Sequence, residues 1–196
     1  MKSIAIETGY IALPNYIGEK QTLPFDLETL ADLPLEFVNI VKTMLSGIKA
    51  KGTGFFTIHG KQLKKGETLR RPRPHTDGSY DQRVFDWGGG WKVDQSGPKL
   101  TSDEHRRLYI AATGGLILAS NFEACLGYTG EIEGEPGVGG DCSHLSLPEP
   151  FMLKRNTVYY GNNHFVHESL PMSEDVHRVF VRINLPEDHV FDPVIH

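Results

Sequence analysis

The hydrophobic pattern divides the chain into one helix and a series of short strands. After Asp32-Leu33-Pro34, Val38, Val41, Leu45 and Ile48 recur at helical spacing until Gly52. This predicts an amphipathic helix with Asp32 as its cap and Pro34 as an early residue. Before it, residues 1–26 hold one β-like run, Ile4-Ala5-Ile6, followed by Pro14, Gly18 and Pro24, which predicts an extended arm lying across the body. After it, Gly54 to His59, Leu108 to Thr113, Leu116 to Ser120, Phe151 to Leu153 and Thr157 to Tyr160 read as strands. Residues 88–104 read as a long loop or lid and 121–140 as turn-rich. The last strand, from Arg178 to Leu185, alternates: Val179, Val181 and Ile183 share one face, and Arg178, Phe180 and Arg182 share the other.

A chain of 196 residues predicts a single domain large enough to bury a core without staples. Its 39% hydrophobic content, 21 Gly and 12 Pro fit a loop-rich globular protein. No apolar run reaches the length of a membrane span, and the N-terminus lacks a basic-then-apolar signal pattern, so the expectation is a soluble cytoplasmic protein with no membrane partner. Cys125 and Cys142 are then expected to be reduced thiols.

Charge changes the picture locally. The net charge of -5 argues against wholesale coating of nucleic acid, yet residues 49–73 carry eight cations against the single acid Glu67. That leaves 12 of the 20 cations to face 24 of the 25 acids elsewhere. Such a run is either a solvated face or an anion-attracting rim.

The run ends beside the most informative stretch, Arg73-Pro74-His75-Thr76-Asp77-Gly78. In a strand His75 and Asp77 point the same way, so an imidazole and a carboxylate can hold one cation. A second imidazole would complete a 2-His-1-carboxylate face with open coordination positions. His164 and His167 are both available. The plain alternative makes His75 and Asp77 a turn pair before Gly78 and leaves the later histidines at the surface.

His75-x-Asp77, a distant His167 in His167-Glu168-Ser169-Leu170-Pro171, Arg178 eleven residues on and Arg182 fifteen on together resemble the Fe(II)/2-oxoglutarate-dependent dioxygenase superfamily, over roughly residues 54 to 184. The arginine intervals match only from His167, which selects it over His164. Gly139-Gly140-Asp141-Cys142 is similar to the Gly-Gly-acid element that opens a barrel strand in that family.

The resemblance implies a mainly β fold with supporting helices, a double-stranded β-helix of the jelly-roll or cupin-like kind. Residues 1–52 would form the arm and supporting helix, and 53–196 the core. It implies Fe(II) held by His75, Asp77 and His167, and 2-oxoglutarate as co-substrate. Arg178 would clasp its distal carboxylate through two parallel hydrogen bonds. Arg182 would brace it or touch its other end, and the two roles are exchangeable. Tyr109 would hydrogen-bond the co-substrate or serve as a core tyrosine.

The implied activity is hydroxylation of a small, amino-acid-like or anionic substrate with O2, releasing succinate and CO2, under the 88–104 lid. A nucleic-acid-modifying oxygenase that hydroxylates or demethylates is the alternative within the superfamily. It is less favoured because the basic run has only Phe55 and Phe56 nearby as stacking platforms. A non-catalytic metal- or anion-binding β-barrel is the alternative outside it. A cupin metal site would use His-x-His, and a serine hydrolase would need Gly-x-Ser-x-Gly, and neither pattern is present.

Overall fold

The structure, a computed structural model, describes residues 1–77 and 114–195. It is mainly β and antiparallel. The strands are β1 (Lys2–Ser3), β2 (Ala5–Tyr10), β3 (Gly18–Asp26), β4 (Thr53–Leu63), β5 (Gly115–Ser120), β6 (Cys125–Tyr128), β7 (Gly130–Glu131), β8 (Phe151–Met152), β9 (Thr157–Asn162), β10 (Val166–Ser169) and β11 (Val176–Leu185), with one helix, α1 (Leu35–Met44). A six-stranded sheet runs β2-β9-β5-β11-β4-β3, a three-stranded sheet β10-β6-β8, and β1 pairs with β7. Among the described residues no sheet closes on itself.

Helix α1 packs on the outer face of the large sheet. Its buried side chains are Phe37, Ile40, Val41 and Met44, which meet Phe56, Ile58, Val179, Val181 and Ile183 in one cluster. The buried stripe is turned from the expected Val38, Val41, Leu45 and Ile48, which retain only Val41 in it. The reason is size: the face that wins removes Phe37 and Met44 from water, while Val38, Leu45 and Ile48 flank it partly buried. Pro34 stands at the N-cap, with φ -55 and ψ 138 and no side-chain cap, while Asp32 has φ 69 and does not cap. The helix ends at Met44, before Gly47 with φ 76.

The first 26 residues do more than cross the surface. Strands β2 and β3 are the two outer strands of the large sheet, on β9 and β4 respectively. Pro24, which read as a breaker, pairs opposite Phe55 within β3. An edge strand tolerates proline because one side of it owes no ladder hydrogen bond. Likewise the turn-rich stretch after Asn121 contains β6, which pairs with β10 from Cys125↔Ser169 to Tyr128↔Val166. Gly127 sits inside β6 because a Cβ there would lie 2.7 Å from the Phe151 ring and 2.9 Å from Leu153.

The inner face of the large sheet supplies Leu63, Leu116, Leu118, Tyr159 and Phe180 to a second cluster, which also contains Cys125, Leu153 and Phe165 from the small sheet and its flanks. The two sheets therefore share an interior. Strand β11 is covered on both faces, with Val179, Val181 and Ile183 towards α1 and Phe180 towards the small sheet. Arg178 and Arg182 share the face of Phe180, so both arginines belong to the interior, where they are 0% and 5% exposed.

Candidate metal centre

The segment that carries His75 and Asp77 is held on both sides by backbone. His75 pairs with His167 of β10, each N–H donating to the other's carbonyl at 3.0 Å, and bridges to Asp141 on the opposite side. Thr76 N–H donates to the Gly140 carbonyl and Cys142 N–H to the Pro74 carbonyl, both at 2.9 Å. Gly139 and Gly140 make the turn that brings this flank in, with φ 67 and 76, a region that favours glycine. The Gly-Gly-acid element thus borders the first histidine. Asp141 itself is directed elsewhere, towards the Ser143 hydroxyl at 2.8 Å and Arg71 at 4.0 Å.

Each imidazole is oriented through its Nδ1. His75 Nδ1 meets the Arg73 carbonyl at 2.7 Å, and His167 Nδ1 meets that of Phe165 at 3.2 Å. A carbonyl only accepts, so Nδ1 carries the hydrogen in each ring and the lone pair of the neutral imidazole is left on Nε2. The ring centroids lie 4.7 Å apart. One ligand atom from each of His75, Asp77 and His167 lies within 4.8 Å of the other two. All three residues are buried.

The charges there are matched to a cation. Asp77 Oδ1 is paired with the Arg182 guanidinium. Asp77 Oδ2 lies 3.4 Å from His167 Nε2 but is buried without a hydrogen bond of acceptable geometry. Burial raises the Asp77 carboxyl, yet Arg182 and the two histidines outweigh it and hold the group well below its usual range, ionised. Burial, with the neighbouring His167, pushes His75 down to about 3, which keeps that ring neutral and its lone pair available. A neutral His75, the His167 imidazole beside it and an ionised carboxylate with an orphaned oxygen fit a divalent cation, and the buried trio can hold one.

Arg178 lies on the same face of β11 as Arg182 but has different company. Its Nε donates to Ser120 Oγ at 3.3 Å, Nη1 to Ser169 Oγ at 2.9 Å, and Nη2 approaches Cys125 Sγ at 2.9 Å. All three are neutral, so a fully buried cation has no carboxylate against it among the described residues. Ser120, Ser169 and Cys125 are absent from the sequence-based site, because nothing local marks them out. They come from β5, β10 and β6 and meet only when the two sheets face each other. Burial raises the Cys125 thiol despite Arg178 beside it, so it is a neutral neighbour, and both cysteines are free.

His164 is half-buried and lies outside the trio. Tyr109, the strand Leu108 to Thr113 and the proposed lid at 88–104 lie outside the described residues. The basic run 49–73 is partly engaged within the protein: Lys64 pairs with Asp175 at 2.7 Å, Arg71 donates to the Gly139 carbonyl at 2.6 Å, and the Arg70 guanidinium stands 5.1 Å above the Phe180 ring.

Comparison with family models, with curated proteins and with solved structures gives no match to this chain. Among the described residues no helix is long and apolar enough to cross a membrane.

Proposed function

We propose that this chain is an Fe(II)- and 2-oxoglutarate-dependent oxygenase that hydroxylates a small anionic, amino-acid-like substrate and releases succinate and CO2. The observation that carries the reading is one interior holding both a buried His75/Asp77/His167 donor set and the fully buried Arg178, whose hydrogen-bond partners are neutral. A buried charge is costly until it is paired. A ligand that brings a carboxylate to Arg178 and two oxygens to the metal would remove that cost, and 2-oxoglutarate has that form.

The finer fold belongs to the same proposal. The large sheet forms one wall of a double-stranded β-helix, and the small sheet, extended through His75 to Asp141, forms the other.

Fe(II), when bound, supplies the oxidising chemistry with 2-oxoglutarate and O2. The chain's own groups do the rest. His75 and His167 present Nε2 in the tautomer fixed by the carbonyls of Arg73 and Phe165. Arg182 keeps Asp77 ionised and positioned. Arg178 receives the distal carboxylate, with Ser120 and Ser169 holding the guanidinium in place. Phe165 and Phe180, both buried, keep water from the space between the sheets.

The test is coupled turnover. Protein loaded with Fe(II) and 2-oxoglutarate is screened with amino acids, nucleotides and oligonucleotides for stimulated succinate release and O2 uptake. Stimulation by a small anionic compound supports the reading. Failure of 2-oxoglutarate to bind Mn(II)-loaded protein overturns it.

A further inference from the structure

The inner face of β11 continues past the two arginines to Asn184. Alternation places Arg178, Phe180, Arg182 and Asn184 on one side of the strand, and Leu116, directly opposite Asn184 on β5, belongs to the interior cluster. The Asn184 side chain therefore enters the space between the sheets. Its other opposed neighbour is Phe55 on β4, so it stands in an apolar row. It is 2% exposed, and among the described residues neither its Oδ1 nor its Nδ2 has a hydrogen-bond partner. A carboxamide accepts at the oxygen and donates twice from the nitrogen, and leaving both ends unpaired in such a place is costly. A leucine of similar size would fill the position without that cost, so packing does not account for the amide.

Two lines of neighbours connect Asn184 with the metal trio. Along the strand, the next residue on the same face is Arg182, about 7 Å away at the rise of a strand, and the Arg182 guanidinium pairs with Asp77. Across the strands, Asn184 opposes Leu116 and Leu116 opposes Gly161, whose inner side is filled by Phe165: a Cβ on Gly161 would lie 2.7 Å from Phe165 Cβ. Phe165 in turn stacks on the His167 ring, with centroids 5.4 Å apart. Arg178 lies on the far side of Arg182, about 20 Å from Asn184 along the strand. A five-carbon diacid held at Arg178 cannot reach that far, so the two polar ends of this face serve different ligands.

We infer that Asn184 is the hydrogen-bonding contact for an amide group of the primary substrate. An amide satisfies both orphaned atoms at once: its carbonyl accepts from Nδ2 while its N–H donates to Oδ1. It is also neutral, as a row between Phe55 and Leu116 requires. A carboxylate would serve Nδ2 alone and set a negative charge against Oδ1. An alkylammonium would serve Oδ1 alone and add a cation beside Arg182. The substrate class thereby narrows from small amino-acid-like anions to those that carry an amide, the N-acyl and carboxamide amino acids. That the amide belongs to an oxygenase substrate rests on the function proposed above, whereas amide binding at Asn184 does not.

The test follows the Asn184 side-chain NH2 signals by NMR, identified by their loss in Asn184→Leu. N-acetylglycine is titrated into metal-free protein and into Zn(II)-loaded protein saturated with 2-oxoglutarate, and saturable movement of the signals is expected in both. O-acetylglycolate, in which an ester oxygen replaces the amide N–H, should bind about tenfold or more weakly. That comparison is made on the parent protein and needs no variant. By calorimetry Asn184→Leu should lose N-acetylglycine by a similar factor, yet unfold at or above the temperature of the parent, since it removes two unpaired buried polar atoms. Movement of the signals together with absent 2-oxoglutarate binding would sink the oxygenase reading and leave the amide contact standing. The inference is overturned if the ester binds as well as the amide or if N-acetylglycine leaves Asn184 unmoved in every form. It is also overturned if Asn184→Leu is less stable than the parent, because a trapped water would then already serve the carboxamide in the empty protein.

Discussion

His75 and His167 exchange both backbone hydrogen bonds at 3.0 Å, so two residues from distant parts of the chain are a directly opposed pair on neighbouring strands. In such a pair the side chains emerge on the same face, and the two rings reach 4.7 Å between centroids. Alternation from His75 adds Asp77 to that face. The candidate donor set is thus a product of strand register, and slipping the register by one residue would turn His167 away.

Replacing His75, Asp77 or His167 with Ala should weaken Mn(II) or Fe(II) binding by more than the roughly 10- to 100-fold that outer-shell changes cost, since two remaining ligands cannot complete the face. His164→Ala should bind metal like the parent protein. Calorimetric titration of the metal-free proteins reads both, and a normal His167→Ala beside a defective His164→Ala would reassign the second imidazole.

Arg182→Met should destabilise the metal-free protein by about 3–5 kcal/mol, because it leaves the Asp77 carboxylate buried without its cation. Added Mn(II) should recover part of the loss by supplying positive charge to the same carboxylate. Urea unfolding with and without metal measures this. A variant as stable as the parent without metal would mean that water already serves Asp77.

Arg178→Gln should leave metal affinity intact and lower 2-oxoglutarate affinity by about 2–5 kcal/mol, on the order of 30-fold to several thousand-fold. Binding of 2-oxoglutarate to Mn(II)-loaded protein separates this from Arg182→Met. If only the latter loses the co-substrate, the two arginines exchange roles.

Stability should fall as the pH drops from about 6.5 towards 4, in part through His59. Burial and its cationic neighbours lower the folded-state value from 6.5 to about 4, so in that window the unfolded chain binds more protons than the folded one. His59→Gln should flatten that part of the profile. Unfolding midpoints at pH 7, 5.5 and 4.5 give the comparison, and parallel profiles for the two proteins would show that His59 does not contribute.

Local periodicity made several features readable in the chain itself. The two-residue spacing of His75 and Asp77 assigns them to one face of any strand they enter, and the alternation of Arg178 to Leu185 separates Val179, Val181 and Ile183 from the arginines and Phe180. The helix, too, was readable, but its buried face was not. The heptad-like spacing admits both the Val38 and the Phe37 stripes, and only packing on Phe56 and Val181 prefers the bulkier one.

Partnership was decided by the tertiary structure. Pro24 is tolerated because β3 is an edge, and Cys125 to Tyr128 become a strand because β10 lies beside them. Ser120, Ser169 and Cys125 surround Arg178, and Glu19 and Lys20 together oppose His59 at a bulge. A strand's own side chains determine which of its residues share a face. Which strand lies beside it depends on backbone hydrogen bonds and burial between segments far apart in the chain, and no local pattern encodes those.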